Sequence, residues 1–210
     1  MRAGAPSHTT NGQGYVLTSP LQLAVMTARI ASGRAIAPRL VKAIGSEELP
    51  VPDAPQLEIT PEYLAAVRQG MFEVMNSPRG TAKASKVADE TMLMAGKTGT
   101  AQVRIISAAE RASGVIDNKN LAWRLRDHAL FVCYAPYDRP KVAVSVVVEH
   151  GGGGSAVAAP LARDLLLFCL TGGIPPLSAY PSSQRGTIET RFKEMKLRDI
   201  SGAGTAKSRA

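Results

Sequence analysis

Two β-branched runs, His128 to Ala135 and Lys141 to Glu149, constrain this chain more than any other feature. Only Pro136-Tyr137-Asp138-Arg139-Pro140 separates them. Five residues so rich in turn formers make the pair read as an antiparallel hairpin. Along the second run, Val142, Val144, Val146 and Val148 point one way and Ala143, Ser145 and Val147 the other. Both sets are small or apolar, so neither face suits water. A sheet of that kind needs helices on each side. With 45% of its 210 residues hydrophobic, the chain can supply them.

Three segments carry the helical signal. Thr18-Ser19-Pro20 opens the first: a hydroxyl caps orphan N–H groups, and proline follows where no N–H is needed. Leu21, Ala24, Val25, Ala28 and Ala31, with Met26 and Ile30 beside them, form its stripe, and Gly33 is its stop. Ile36 to Ile44 reads as extended because Pro38 disfavours helix, and residues 45–57, with Pro50, Pro52 and Pro55, read as loop. Thr60-Pro61-Glu62 opens the second helix. Leu64, Val67, Met71 and Met75 recur along it at helical spacing, and Ser77-Pro78 ends it. Ser155 to Leu170 predicts the third, through Leu161, Leu165, Phe168 and Cys169. Its true start is placed near Ala158, because Pro160 belongs in a first turn. Residues 171–210 read as a disordered basic tail, with room for a short helix from Glu189 to Leu197.

The net charge of +8 invites a nucleic-acid reading, but the excess is badly placed for one. After Tyr180, seven cations face three carboxylates, with Phe192 the single aromatic among them. That pattern describes a solvated tail, so nucleic acid is not expected as a partner. His8, His128 and His150 share no helical or strand spacing with cysteines or carboxylates, so no metal site is expected. Glu149-His150 before Gly151 to Gly154 lacks the Lys-Ser or Lys-Thr that would complete a phosphate loop. Cys133 and Cys169 read as two core-facing thiols rather than a bridge. No run of eighteen apolar residues occurs, and Met1 to Thr10 has no apolar h-region.

The chemistry-bearing stretch is Ala95-Gly96-Lys97-Thr98-Gly99-Thr100-Ala101-Gln102. It reads as an edge strand carrying a fixed cation, two hydroxyls and a glycine gap. Lys97 supplies charge for a carboxylate and can help pass protons to a leaving amine. Thr98 and Thr100 offer hydroxyls to the same oxygens. Gly99 lets a substrate lie against the strand.

Four stretches place this tetrad in a context. They are Gly12-Gln13-Gly14-Tyr15 followed by Thr18-Ser19-Pro20-Leu21-Gln22, Ala95 to Val103, Leu125-Arg126-Asp127-His128-Ala129-Leu130-Phe131 running into Tyr134-Ala135-Pro136-Tyr137, and Val142 to Glu149 before the glycine run. In this order, over roughly residues 12–170, they resemble the C-terminal part of class B penicillin-binding proteins of the penicillin-binding protein 2 group. A Lys-Thr-Gly triplet is an established mark of those enzymes. The resemblance implies the β-lactamase/transpeptidase-like fold, of α/β (α+β) type, with an antiparallel sheet flanked by helices on both faces and incomplete in this chain. Residues 1–170 would be the C-terminal part of the transpeptidase domain. Gly80 to Lys86 would be the short turn and helix before the tetrad strand. Asp127-His128 would be ordered side chains at the sheet's end, and the glycines would turn the last strand into the closing helix.

The resemblance further implies a peptidoglycan D,D-transpeptidase that cross-links stem peptides in elongation through a serine acyl-enzyme and binds β-lactams. No cofactor is implied. Implied partners are a glycosyltransferase and the elongation machinery, and the implied location is the periplasmic face of the inner membrane. Lys97, Thr98, Gly99 and Thr100 would be its site residues, Thr100 N–H completing an oxyanion hole. Yet no lysine here has serine three residues before it, and no asparagine has serine two before it. The nucleophile's Ser-x-x-Lys motif is therefore expected outside this chain, which reads as a fragment, inactive alone. The alternatives are a non-catalytic gene remnant, or a serine β-lactamase or penicilloyl-binding sensor of the same fold.

Overall fold

The computed structural model describes residues 17–195. The Gly12 to Tyr15 stretch and the chain beyond Met195 lie outside them. Helix α1 spans Pro20–Ser32. Ser19 Oγ accepts from Gln22 N at 3.3 Å while Gln22 Oε1 accepts from Ser19 N at 2.7 Å, a reciprocal cap. Gly33 ends the helix in the left-handed region at φ 73°. A two-residue ribbon follows, β1 (Ala43–Ile44) against β2 (Glu47–Glu48), inside the stretch read as extended chain and loop. Helix α2, Pro61–Asn76, starts on its proline and stops before Ser77-Pro78 as the sequence predicts, although Thr60 makes no side-chain cap.

The sheet has three strands in the order β3 (Ala95–Ala101), β4 (His128–Ala135) and β5 (Val142–Val148), antiparallel throughout. Lys97 pairs with Val132, Gly99 with Leu130 and Cys133 with Val144. The expected hairpin is therefore present, with the tetrad strand on its outer side. A short helix, α3 (Ala108–Ser113), lies in the β3–β4 connection. Helix α4, Ala159–Thr171, follows β5 through a wide turn at Gly154–Ala158.

Helices cover both faces. On one, Ala129, Phe131, Cys133 and Ala135 pack with Val144 against Ala159, Ala162, Leu166 and Leu167 of α4. On the other, Ala95, Val132 and Tyr134 meet Ala31 of α1 and Met71 of α2.

Two helical stripes differ from expectation. In α4, the buried line is Ala159, Ala162, Leu166 and Leu167, whereas Leu161, Leu165, Phe168 and Cys169 are exposed. The helix is apolar nearly all round, so periodicity offers two faces. The one with small residues at its start lets the helix axis lie close to the sheet. Cys169 is thus a surface thiol, and only Cys133 is in the core. This stretch, Gly154–Thr171, is long and apolar enough by composition to cross a membrane, but its buried face lies on the sheet. In α1, the buried residues are Thr27 and Ala31, not Leu21 or Met26. Thr27 is tolerated there because its hydroxyl donates to Leu23 O at 2.8 Å.

The tail reading is corrected for residues 171–195. Helix α5 spans Arg185–Glu194, and Tyr180 and Ile188 are buried in the main core. Ala88 N donates to Ala179 O at 2.8 Å, and Gln184 Nε2 to Ala84 O at 2.7 Å, pinning this segment back to the domain. The segment's apolar residues are scattered, but Ala179, Tyr180 and Ile188, with Leu177 and Phe192 beside them, find a preformed surface that receives them.

Gly154 sets the spacing between the closing segment and the sheet. A Cβ there would strike Leu130 O and lie 2.6 Å from Gly99 O. Gly153 beside it has open space. Gly154→Ala should therefore cost about 1–3 kcal/mol of stability through forced backbone displacement, while Gly153→Ala stays near neutral. Urea unfolding followed by circular dichroism checks the contrast.

Candidate functional site

The tetrad occupies the outer strand of the sheet. Among the described residues β3 pairs only with β4, so its other edge presents backbone N–H and C=O groups outward. Lys97 and Thr100 are exposed, Thr98 and Gly99 half-buried. By alternation Lys97 and Gly99 lie on the α1/α2 face with Val132 and Leu130, whereas Thr98 shares the α4 face with Phe131. The four residues therefore form one accessible edge with hydroxyl and ammonium groups on alternate sides.

Lys97 Nζ donates to Thr98 O at 2.9 Å and makes no salt bridge among the described residues. Its charge is in no ion pair there, and the exposed side chain folds back along its own strand. Thr98 Oγ1 lies 3.4 Å from Thr81 Oγ1. Thr81 belongs to the turn between α2 and β3, and no sequence signal singled it out. Gly80 beside it is obligatory, because a Cβ would collide with the carbonyls of Glu73 and Val74 at the end of α2. Two glycines hold the strand from behind. Gly96 sits under the Phe131 ring, whose Cζ would lie 2.6 Å from any added Cβ, and Gly99 is covered by the backbone of Gly154. The glycine run was visible in the sequence, but its contact with the tetrad was not.

The end of the sheet next to Ala101 is tied by polar contacts. Asp127 Oδ2 accepts from Asn118 Nδ2 at 3.1 Å, and Asp127 N donates to Asn118 Oδ1 at 2.8 Å. His128 Nδ1 accepts from His150 N at 2.9 Å. His150 has φ 55°, and its ring packs 4.5 Å from Trp123 and 4.7 Å from His128. Asp127 and His128 are thus ordered end-of-sheet residues, as the sequence reading held. Gly152 N donates to Asp127 O at 2.8 Å, so the glycine run turns β5 back across this end before α4 begins.

The segment after the tetrad is anchored by Arg104 and Glu110, whose paired contacts are 2.6 and 2.5 Å long. The hydrogen bond from Arg104, reinforced by Ile116 N–H, lowers the Glu110 carboxyl to about 2. Cys133 is driven the other way: burial raises its thiol far above the ordinary range, so it is no nucleophile. Among the described residues no group of three or more potential metal ligands converges.

The family model described as the penicillin binding protein transpeptidase domain matches residues 5–167. The chain is 39% identical over 195 residues to the peptidoglycan D,D-transpeptidase MrdA of Haemophilus influenzae, an alignment covering 89% of this chain and 29% of that protein. Among solved structures, Pseudomonas aeruginosa PBP2 in complex with WCK 5153 matches at TM-score 0.59 and 37% identity, over 83% of this chain and 35% of the other. Helicobacter pylori PBP2, in its complex with MreC, matches at TM-score 0.59 and 32% identity, over 78% and 27%. The chain thus spans less than a third of the length of the Haemophilus relative.

The depressed Glu110 carboxyl has a signed consequence. Its contribution to stability is present above the ordinary carboxylate range and is lost only as pH falls toward about 2. Carboxyl 13C shifts should show Glu110 still ionised at about pH 3.5 in the native chain. In Arg104→Gln it should titrate near the ordinary value.

Proposed function

The chain belongs to the penicillin-binding protein transpeptidase family, and on that premise we propose that it forms the tetrad wall of a serine D,D-transpeptidase site acting on peptidoglycan stem peptides. The observation that carries this reading is the outer strand, with Lys97 uncommitted to any salt bridge among the described residues and Gly99 leaving room along the strand. The activity named for its relatives, peptidoglycan D,D-transpeptidase, supports the same assignment.

In this reading the stem peptide lies along the free edge of β3 as an added strand. Lys97 faces the terminal carboxylate and lowers its energy by charge, while the hydroxyls of Thr98 and Thr100 complete its hydrogen bonds. Thr81 holds the Thr98 hydroxyl in place. Attack on the penultimate carbonyl comes from a serine outside this chain, forming the acyl-enzyme and releasing D-alanine. A second stem peptide's amine then displaces the serine and restores it. Thr100 N–H and the serine's own N–H receive the oxyanion, a donor of this type being worth about 3–4 kcal/mol. Lys97 also relays a proton to the departing amine in this reading. β-Lactams enter as acylating mimics of the same peptide. The site works at the periplasmic face of the inner membrane beside a glycosyltransferase and the elongation machinery. The complex of the Helicobacter relative with MreC supports a protein partner for this domain.

Two measurements test this reading. Incubated alone with fluorescent penicillin and run on a denaturing gel, the chain should give no band that survives boiling, because it carries no Ser-x-x-Lys. A competable band would overturn the assignment. Joined to the N-terminal part of the Haemophilus relative, which would supply the serine, it should label. Lys97→Ala in that chimera should then slow acylation by about 100-fold or more. Lys193→Ala, on the far helix α5, should leave the rate unchanged. Equal small effects from both would mean that the tetrad takes no part in acylation.

A further inference from the structure

The sheet has a second edge, β5. Among the described residues it pairs only with β4, so its outer side presents a row of backbone N–H and C=O groups. Edges of that kind are normally blunted by proline or charge, and Val142–Val148 carries neither. The strand is Val-Ala-Val-Ser-Val-Val-Val, with apolar residues on both faces. At the opposite edge, Gly96, Gly99 and the exposed Lys97 discourage β3 from pairing with its own copy. The flank of α4 on the β5 side is also unpartnered. Helix α4 packs over β4 and β5. Its Arg163 side is occupied, since that guanidinium sits over Tyr180 and donates to Gln184 Oε1. Tyr180 and Gln184 belong to a segment tied to Ala84 and Ala88, which precede β3. By helical spacing Leu161, Leu165 and Phe168 lie on the opposite flank, toward the free side of β5. They are 52, 48 and 42% exposed. An apolar stripe thus runs beside an unpaired apolar strand.

The strand is complementary to itself. When two copies pair antiparallel about Ser145, Val142 meets Val148, Ala143 meets Val147 and Val144 meets Val146, so the whole strand overlaps. Lys141 of each copy then comes to Glu149 of the other, at both ends of the pair. Both residues are exposed, and neither makes a salt bridge among the described residues. No other register overlaps the full strand or matches these two charges. The centre of the pair carries an independent sign. Ser145 Oγ is buried with no hydrogen-bond partner among the described residues, and buried hydroxyls are normally satisfied. In this register it stands opposite its own copy, with the two Cβ atoms about 4.5–5.5 Å apart, and cross-strand hydroxyls at that spacing can bond to each other.

We propose that the outer edge of β5 docks a second copy of this chain, joining two three-stranded sheets into one continuous sheet about a two-fold axis at Ser145. The axis stands perpendicular to the sheet, so both α4 helices lie on one face and their Leu161, Leu165 and Phe168 stripes meet across it. Because each copy offers the same strand to the other, the contact closes as a dimer and does not propagate. The outer edge of β3 stays open in both copies. This inference does not depend on the catalytic reading.

The test is sedimentation velocity of the 210-residue chain across the micromolar range. The expected result is a concentration-dependent equilibrium between monomer and dimer, with no larger species. Lys141→Glu and Glu149→Lys each set like charges opposite one another at both ends, and each should weaken the dimer by about tenfold. They shift net charge in opposite directions, so a loss common to both cannot come from net charge. The double variant Lys141→Glu/Glu149→Lys restores opposite charges and should recover the native affinity. Leu165→Glu, at an exposed position that does not threaten the fold, should weaken the dimer at least as much. Leu40→Glu, the same change at a leucine 91% exposed outside α4, should leave it unaltered. A monomer at every concentration overturns the proposal, and amide exchange in β5 would then show whether residues 1–16 or 196–210 cover the edge. Association without limit, or a dimer that ignores Leu165→Glu or is not recovered by the double variant, puts the contact elsewhere and overturns it as well.

Discussion

A strand that is buried on both faces has to find apolar partners above and below, and β4 is that strand here. Phe131, Cys133 and Ala135 face α4, and Val132 and Tyr134 face α1 and α2. Fully burying a side chain such as Val132 or Phe131 stabilises a fold by about 1.5–3 kcal/mol. Helices on both sides, with β3 and β5 as lateral neighbours, follow from satisfying this one strand. Burial pushes Tyr134 up to about 12, and the like-charge influence of Tyr137 adds to it, so the phenol stays neutral in the core.

The tetrad strand inherits its position from that arrangement. It can approach β4 closely because Gly96 yields to the Phe131 ring, and it is pressed from the α4 side by Gly154. Both contacts remove freedom from β3 without covering its outer edge. Rigid support with an open edge is what a strand needs to accept an extended peptide as its neighbour, since the cost of ordering the site is met before the ligand arrives. Polar ties at the sheet's end do the same for the strand's exit, through Asp127 with Asn118 and His128 with His150.

A single wall does not make an active site. Under the proposed function the cation, hydroxyls and glycine of the tetrad would bind a carboxylate, but acyl transfer also needs a nucleophile and its base. Neither spacing occurs in this sequence. That agrees with a chain spanning less than a third of the length of its Haemophilus relative.

By itself the sequence determined the hairpin, the two-sided apolar sheet, the first helix with its Ser19 cap and Gly33 stop, and the strand that carries the tetrad. These are local patterns: strand alternation, a hydroxyl before proline, glycine after the last turn. They depend on neighbours a few residues away, so they can be read in one dimension. Which stripe of α4 faces the sheet could not be read that way, because a helix apolar on most sides offers several equivalent faces. The sheet surface selects the one whose small residues allow close approach. Nor could the folding back of residues 177–194, where Tyr180 and Ile188 find a core built by segments far away in the chain. The contacts of Thr81 with Thr98 and of Gly154 with Gly99 belong to the same class. They join residues 17 and 55 positions apart, and only tertiary packing brings such pairs within reach.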